Sequence, residues 1–131
     1  MFLDSSAIVA ILTEEPERDS MVVKIKDARE LHTSPLVVFE STLAVARLQK
    51  GGLSAASKDL TEFLSTLDVS VAQITLQIGE EAVAAHERYG KGRHPARLNM
   101  GDCFSYACAR VLKVPLLCKG DDFIHTDIRI A

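Results

Sequence analysis

At 131 residues the chain has the length of one domain with room for a buried core, so it needs no disulfide or metal staple to fold. Hydrophobic residues make up 47% of it and charged residues 25%; this globular composition excludes intrinsic disorder, and no run of about twenty apolar residues offers a membrane span. The formal net charge of −3 excludes nucleic-acid binding through bulk charge alone, so any such role needs a local basic patch or a cation.

Met1 to Leu3 reads as a buried strand ending at Asp4, followed by a helix through Ile8, Ile11 and Leu12. The start lacks the basic region of a signal peptide, and Asp4 breaks the apolar run at once. Glu14-Glu15-Pro16-Glu17 reads as a break, with Pro16 at an early position of a second helix through Met21, Val22 and Ile25 to about Arg29. Leu31 to Thr33 is a short strand candidate. Ser34-Pro35 then reads as an N-cap and first-turn proline of a helix that runs to Lys50 and stops at Gly51-Gly52.

An amphipathic helix is expected over Ser54 to Leu67 and a strand over Val69 to Val71. The next helix, Ile74 to Glu87, carries Ile74, Ile78, Val83 and Ala84 as its apolar positions. Tyr89 to Asn99 is a basic loop with Gly and Pro. Gly101 to Lys113 is a helix, Val114 to Cys118 a strand, Lys119-Gly120-Asp121-Asp122 a turn, and Asp127 to Ala131 a last short strand. Strands separated by helices imply crossovers and parallel pairing. The expected fold class is therefore α/β, a single domain over 1–131 built as a three-layer α/β/α sandwich with a mainly parallel central sheet. Ligands of such sheets sit at the carboxyl ends of the strands.

The three cysteines, Cys103, Cys108 and Cys118, have no paired spacing, and the first two are five apart on one helix. They read as small buried hydrophobes of a cytoplasmic protein. The four histidines are too scattered to form a ligand set.

The acids carry more information. Asp4 directly follows the first strand and stands at the carboxyl edge of the sheet, where it either caps the next helix or serves a site. Glu40 has Leu36, Val37, Leu43 and Ala44 at helical spacings of three and four, so it falls in an apolar stripe. A carboxylate there needs a cation, a donor or a cleft, with Arg47 a distant candidate partner. Asp102 opens a helix behind Asn99-Met100-Gly101, which resembles a capping box, and Gly101 leaves backbone open beside it. Asp121 and Asp122 follow the late strand, where turns favour Asp but two adjacent acids rarely both cap.

Carboxylates gathered in one cleft raise each other's pKa unless a cation sits among them. An all-oxygen donor set suits magnesium, or manganese, which retain part of their water shell. Such an ion could activate water for attack on a phosphodiester. Arg88, Lys91, Arg93 and Arg97 lie in the stretch HERYGKGRHPAR that runs into the Asp102 helix, and they supply the basic rim that a nucleic-acid backbone needs.

The segments MFLDSSAIVAIL, SPLVVFESTLA, GDCFSYACAR and PLLCKGDDFIHTDI, in this order over almost the whole chain, resemble the PIN-domain toxins of the VapC family. The resemblance implies a PIN-like fold, metal-dependent endoribonuclease activity and inhibition by a cognate VapB-type antitoxin. It also implies a homodimer and an antitoxin that reaches into the acidic cleft with a basic side chain. Asp4, Glu40 and Asp102 match the family's first three acids. For the fourth, the GDDF turn makes Asp122 the first choice and Asp121 the second. Ser5 or Ser6 would assist as hydrogen-bonding neighbours. A haloacid-type phosphatase wants a second aspartate where Ser6 stands, and a phospho-receiver wants an acid after a middle strand, whereas Asp68 precedes one. The remaining alternative is a catalytically silent PIN-like binding module, and the convergence of the acids discriminates it.

Overall fold

The computed structural model describes residues 1–131 as four strands and six helices. The strands are two residues each: β1 (Phe2–Leu3), β2 (His32–Thr33), β3 (Ser70–Val71) and β4 (Leu116–Leu117). All pair in parallel in the order β3-β2-β1-β4, with Phe2 opposite both His32 and Leu116. β1 and β4 are wholly apolar and buried, as strands covered on both faces must be, whereas both residues of β3 at the edge are exposed. The chain steps outward from β1 to β3 and then returns to β4 on the other side of β1. That reversal leaves a crevice at the carboxyl ends of β1 and β4, the switch point at which open parallel sheets bind ligands.

The helices are α1 (Ser5–Leu12), α2 (Arg18–Lys26), α3 (Pro35–Leu48), α4 (Gly52–Thr66), α5 (Leu76–Tyr89) and α6 (Met100–Leu112). Their starts follow from local chemistry. Asp4, Ser34, Thr75 and Asn99 each accept a backbone N–H of the first turn, and Pro35 fills a position that needs no donor. α1 packs on α2 and α3, α3 on α4 and α6, and α5 on α6, which itself lies on β1 and β4. The result is the expected α/β/α sandwich around one continuous apolar core that includes Phe2, Leu3, Ile8, Tyr106 and Leu116. No helix is long and apolar enough to cross a membrane.

Three expectations change. Pro16 lies ahead of α2 rather than in its first turn, because Glu14 turns the backbone with φ of 56° and the helix begins only at Arg18. The inner face of α5 is Ile78, Ala82 and Ala85, while Val83 is 71% exposed and Ile74 precedes the helix. Small residues face α6 there, so the two helices approach closely. The expected last strand reduces to one bridge between Leu116 and Ile130, since Asp127 is drawn instead to Tyr106 and Arg110 of α6. The three cysteines are free thiols, with Cys103 and Cys108 fully in the core.

Candidate active site

Asp4 ends β1 and is 4% exposed. Its Oδ2 accepts from the Ser6 backbone N–H at 3.0 Å and from the Ser6 hydroxyl at 2.5 Å, and its Oδ1 accepts from Ser105 of α6 at 2.6 Å. The residue therefore caps α1 and also holds a buried carboxylate satisfied by three donors. Ser6 does more, because its hydroxyl accepts from the Lys119 backbone N–H at 2.9 Å. One side chain thus joins the end of β1 to the turn after β4.

Glu40 sits half-buried on α3 beside Val37 and Ser41 of that helix's inner face. Its carboxylate lies against the bare Cα of Gly101, where a Cβ would stand 2.7 Å from Oε2 and closer still to Oε1. Gly101 opens space for Glu40, not merely for the adjacent Asp102. Burial pushes the Glu40 carboxyl up, and the charges of Asp4 and Asp102 push it further, with the Ser5 hydroxyl opposing. Arg47, the distant candidate partner, makes no ion pair with it.

Asp102 forms the capping box in full: its Oδ2 accepts from the Asn99 N–H at 2.8 Å, and Asn99 accepts from the Asp102 N–H at 3.1 Å. Its other oxygen keeps no protein donor. Burial raises its carboxyl to about 6, against the Asn99 N–H that lowers it, and the charges of Asp4 and Asp122 add to the rise. Asp122 shares with Asp102 a polar pocket of 250 Å³ whose other walls are Lys91, Arg97 and Asn99. Asp121 does not line it.

The structure thus brings Asp4, Glu40, Asp102 and Asp122 within range of one another at the switch-point crevice, and it leaves Asp121 outside. Of the basic residues, Lys91 and Arg97 face the acids across the pocket, and Arg93 is exposed on the same loop. Arg88 is committed elsewhere. It pairs with Glu81 at 2.9 Å and with Asp127 at 3.9 Å, and lies over the rings of Tyr89 and Tyr106. Sequence reasoning missed Ser105 and the pairing of Gly101 with Glu40. A hydroxyl among Cys103, Tyr106, Ala107 and Cys108 on the buried face of α6 was the available signal.

The donor set fits a hard divalent cation. All four side chains offer oxygen, and the charges of their neighbours raise the carboxyls of Glu40 and Asp102, which a cation would relieve. No three acidic, histidine or cysteine side chains close on a single point as arranged.

The chain matches the PIN domain family over residues 1–129. It is 40% identical to a VapC ribonuclease of Rhizobium meliloti over 139 residues, covering 97% of this chain and 98% of the relative. It is also 40% identical to ribonuclease VapC30 of Mycobacterium tuberculosis over 129 residues, covering 98% and 95%. The crystal structure of Mycobacterium tuberculosis VapC20, a toxin that cleaves the sarcin-ricin loop, superposes with a TM-score of 0.77 at 20% identity, covering 99% of this chain and 97% of that one. A toxin–antitoxin complex from Klebsiella pneumoniae superposes with a TM-score of 0.74 at 15% identity, covering 99% and 95%. The two solved structures share the fold, and the sequence relatives carry the descent: the chain belongs to the PIN-domain family, among its VapC ribonucleases.

Proposed function

We propose that residues 1–131 form one nuclease domain, the toxin of a type II toxin–antitoxin pair, and that it is a magnesium-dependent endoribonuclease of the cytoplasm. The observation that carries this reading is the mutual proximity of four acids beside β1 and β4: Asp4 and Asp102 raise the Glu40 carboxyl, and Asp4 and Asp122 raise that of Asp102. Magnesium or manganese, when bound, supplies the charge that lets water attack a phosphodiester.

The chain's own residues do the rest. Ser6 and Ser105 hold both oxygens of Asp4 in place, so the carboxylate is oriented before any ion arrives. The capping box fixes the rotamer of Asp102 and leaves one oxygen turned to the site. Gly101 lets Glu40 reach in from α3. Asp122 arrives on the turn that Ser6 anchors through Lys119, with Asp121 as an outer acid on that turn. Lys91, Arg93 and Arg97 form a basic rim that attracts RNA to an otherwise acidic chain.

The cognate partner is a VapB-type antitoxin, and the chain pairs as a homodimer. An apolar groove of 280 Å³ on α5 and α6, lined by Ala82, Val83, Met100, Cys103 and Phe104, supports a protein partner, since Val83 and Met100 are 71% and 65% exposed.

The experiment is cleavage of total bacterial RNA with sequencing of the new ends, comparing the wild type with Asp4→Asn in magnesium and in excess chelator. Cleavage confined to the wild type with magnesium is the expected outcome. Full activity of Asp4→Asn, or of the wild type in chelator, overturns the mechanism, and absence of any cleavage leaves a binding module.

A further inference from the structure

The loop between α5 and α6 is built, not slack. Lys91 donates its backbone N–H to Leu98, Leu98 donates to Tyr89, and the Ala96 N–H reaches the His94 ring at 3.2 Å. Tyr89 and His94 meet edge to face at 5.2 Å, and Ala96 and Leu98 are buried. On this frame Arg97 takes a left-handed backbone with φ of 52°. Glu14, Asp68 and Lys113 share that conformation, so it does not by itself single out Arg97; what it does is fix where the loop presents the arginine side chain.

Arg97 and Lys91 line the same 250 Å³ pocket as Asp102 and Asp122, yet neither cation is ion-paired with either acid. Arg88, by contrast, spends its charge on Glu81 and Asp127. Lys91 and Arg97 thus give the pocket a positive wall opposite its two carboxylates, and a phosphate is the kind of group that suits that wall. The volume is several times the roughly 30 Å³ share of one water, which is room for a phosphate and some of its hydration.

The geometry points to Lys91 and Arg97 as a preformed phosphate grip that holds the RNA phosphodiester against the Asp102 and Asp122 side of the site. This assignment rests on the ribonuclease reading. It sets two residues of the basic stretch apart from general attraction: they contact the phosphate at the reacting end, while Arg88 braces the fold. Planar arginine and compact lysine donors give charge-assisted hydrogen bonds that strengthen as charge builds on the phosphate oxygens.

The test uses Arg97→Gly and Lys91→Gln, with Lys58→Gln on the exposed face of α4 as a charge control. Arg97→Gly relieves the left-handed backbone, so its melting temperature should equal or exceed that of the wild type, and any lost activity is not lost folding. With enzyme in excess over total bacterial RNA in magnesium, each grip variant should lower the maximal cleavage rate on the order of 100-fold. Lys58→Gln should leave it unchanged. In a second arm, in the Asp4→Asn background, a fluorescein-labelled 20-nucleotide single-stranded RNA of mixed sequence reports binding against salt. Each grip substitution should reduce the slope of log affinity against log salt by about 0.7, and Lys58→Gln should not.

A grip variant that cleaves at the wild-type maximal rate overturns the assignment while the ribonuclease reading stands. If the wild type cleaves nothing, the ribonuclease reading fails, and the binding arm decides the grip alone. Slopes equal to that of Lys58→Gln then refute it.

Discussion

At the scale of single residues, the candidate site is a set of carboxylates of which two, Glu40 and Asp102, are raised by burial and by their neighbours' charge. Asp102 has its carboxyl raised from 3.8 to about 6, chiefly by burial, and Glu40 is raised by burial and by Asp4 and Asp102. A raised acid binds its proton more tightly folded than unfolded, so stability from these groups is greatest at low pH and is lost as pH rises from 3.8 through about 6. The metal-free protein should therefore melt higher near pH 5 than near pH 7.5 by this contribution. Asp102→Asn, which keeps an acceptor for the Asn99 N–H, should raise the metal-free melting temperature at neutral pH. It should also shrink the stabilisation that magnesium gives the wild type. Scanning calorimetry across pH, with and without magnesium, checks both; a melting temperature lowered by the substitution at neutral pH contradicts the account.

Gly101 makes a sharper case. Alanine is the better helix former, by about 1 kcal/mol in a helix interior and by less in the first turn where Gly101 stands, but its methyl would meet the Glu40 carboxylate, which is flexible and can swing away. Gly101→Ala should thus hold or gain stability while losing most RNA cleavage. Retained cleavage would show that Glu40 is not needed where it lies. Ser105→Ala removes a buried donor from Asp4 and should cost about 1–3 kcal/mol, with metal affinity falling about 10- to 100-fold. Denaturant titration and magnesium titration read these separately.

At the scale of elements, two clasps hold the ends of the chain's late segments. The first joins α5, α6 and the tail: the Tyr106 hydroxyl donates to Asp127 at 2.5 Å, Arg110 reaches Asp127 at 3.0 Å and Glu81 at 3.1 Å, and Arg88 joins both acids. The Tyr106 hydroxyl holds the Asp127 carboxyl below its ordinary range, and Arg110 adds to this. A lowered acid contributes stability above its unfolded pKa of 3.8 that is lost as pH falls through the folded value. Tyr106→Phe should cost about 1–2 kcal/mol near neutral pH, and the loss should fade in strong acid. An acid-insensitive loss would mean packing, not the hydrogen bond, is at stake.

The second clasp pairs Lys119 with Glu15 and, at 3.3 Å, Glu17, and so ties the α1–α2 corner to the turn that carries Asp122. Exposed ion pairs contribute little to stability. Its consequence is placement of the turn beside Asp4, to which Lys119 is already linked through Ser6.

For the whole molecule, the strand order β3-β2-β1-β4 sets the place of the candidate site, because it puts the residues after β1 next to those after β4. The apolar groove on α5 and α6 is lined by Val83, Met100 and Phe104 and by none of the four acids, and it is the surface on which the proposed homodimer is tested. Val83→Glu, at a position 71% exposed, should leave folding intact and convert a dimer to a monomer in light scattering. An unchanged mass for a dimeric wild type would move the interface elsewhere.

Periodicity and capping chemistry sufficed for the order of the ten elements up to β4, the parallel sandwich and the capping box at Asn99 and Asp102, because each depends on residues a few positions apart. The same local rules misassigned the inner face of α5, where Ala82 and Ala85 win over Val83: close approach to α6, rather than hydrophobicity, chooses the buried side. Asp4, Glu40 and Asp102 stood out in the sequence as acids in apolar or strand-end settings. Their proximity to one another, the position of Asp122 rather than Asp121 on the pocket that Asp102 lines, the service of Ser105 to Asp4 and the commitment of Arg88 to Glu81 and Asp127 are tertiary facts. They depend on side chains as far apart in sequence as Asp4 and Ser105, which only the return of the chain to the far side of β1 brings into contact.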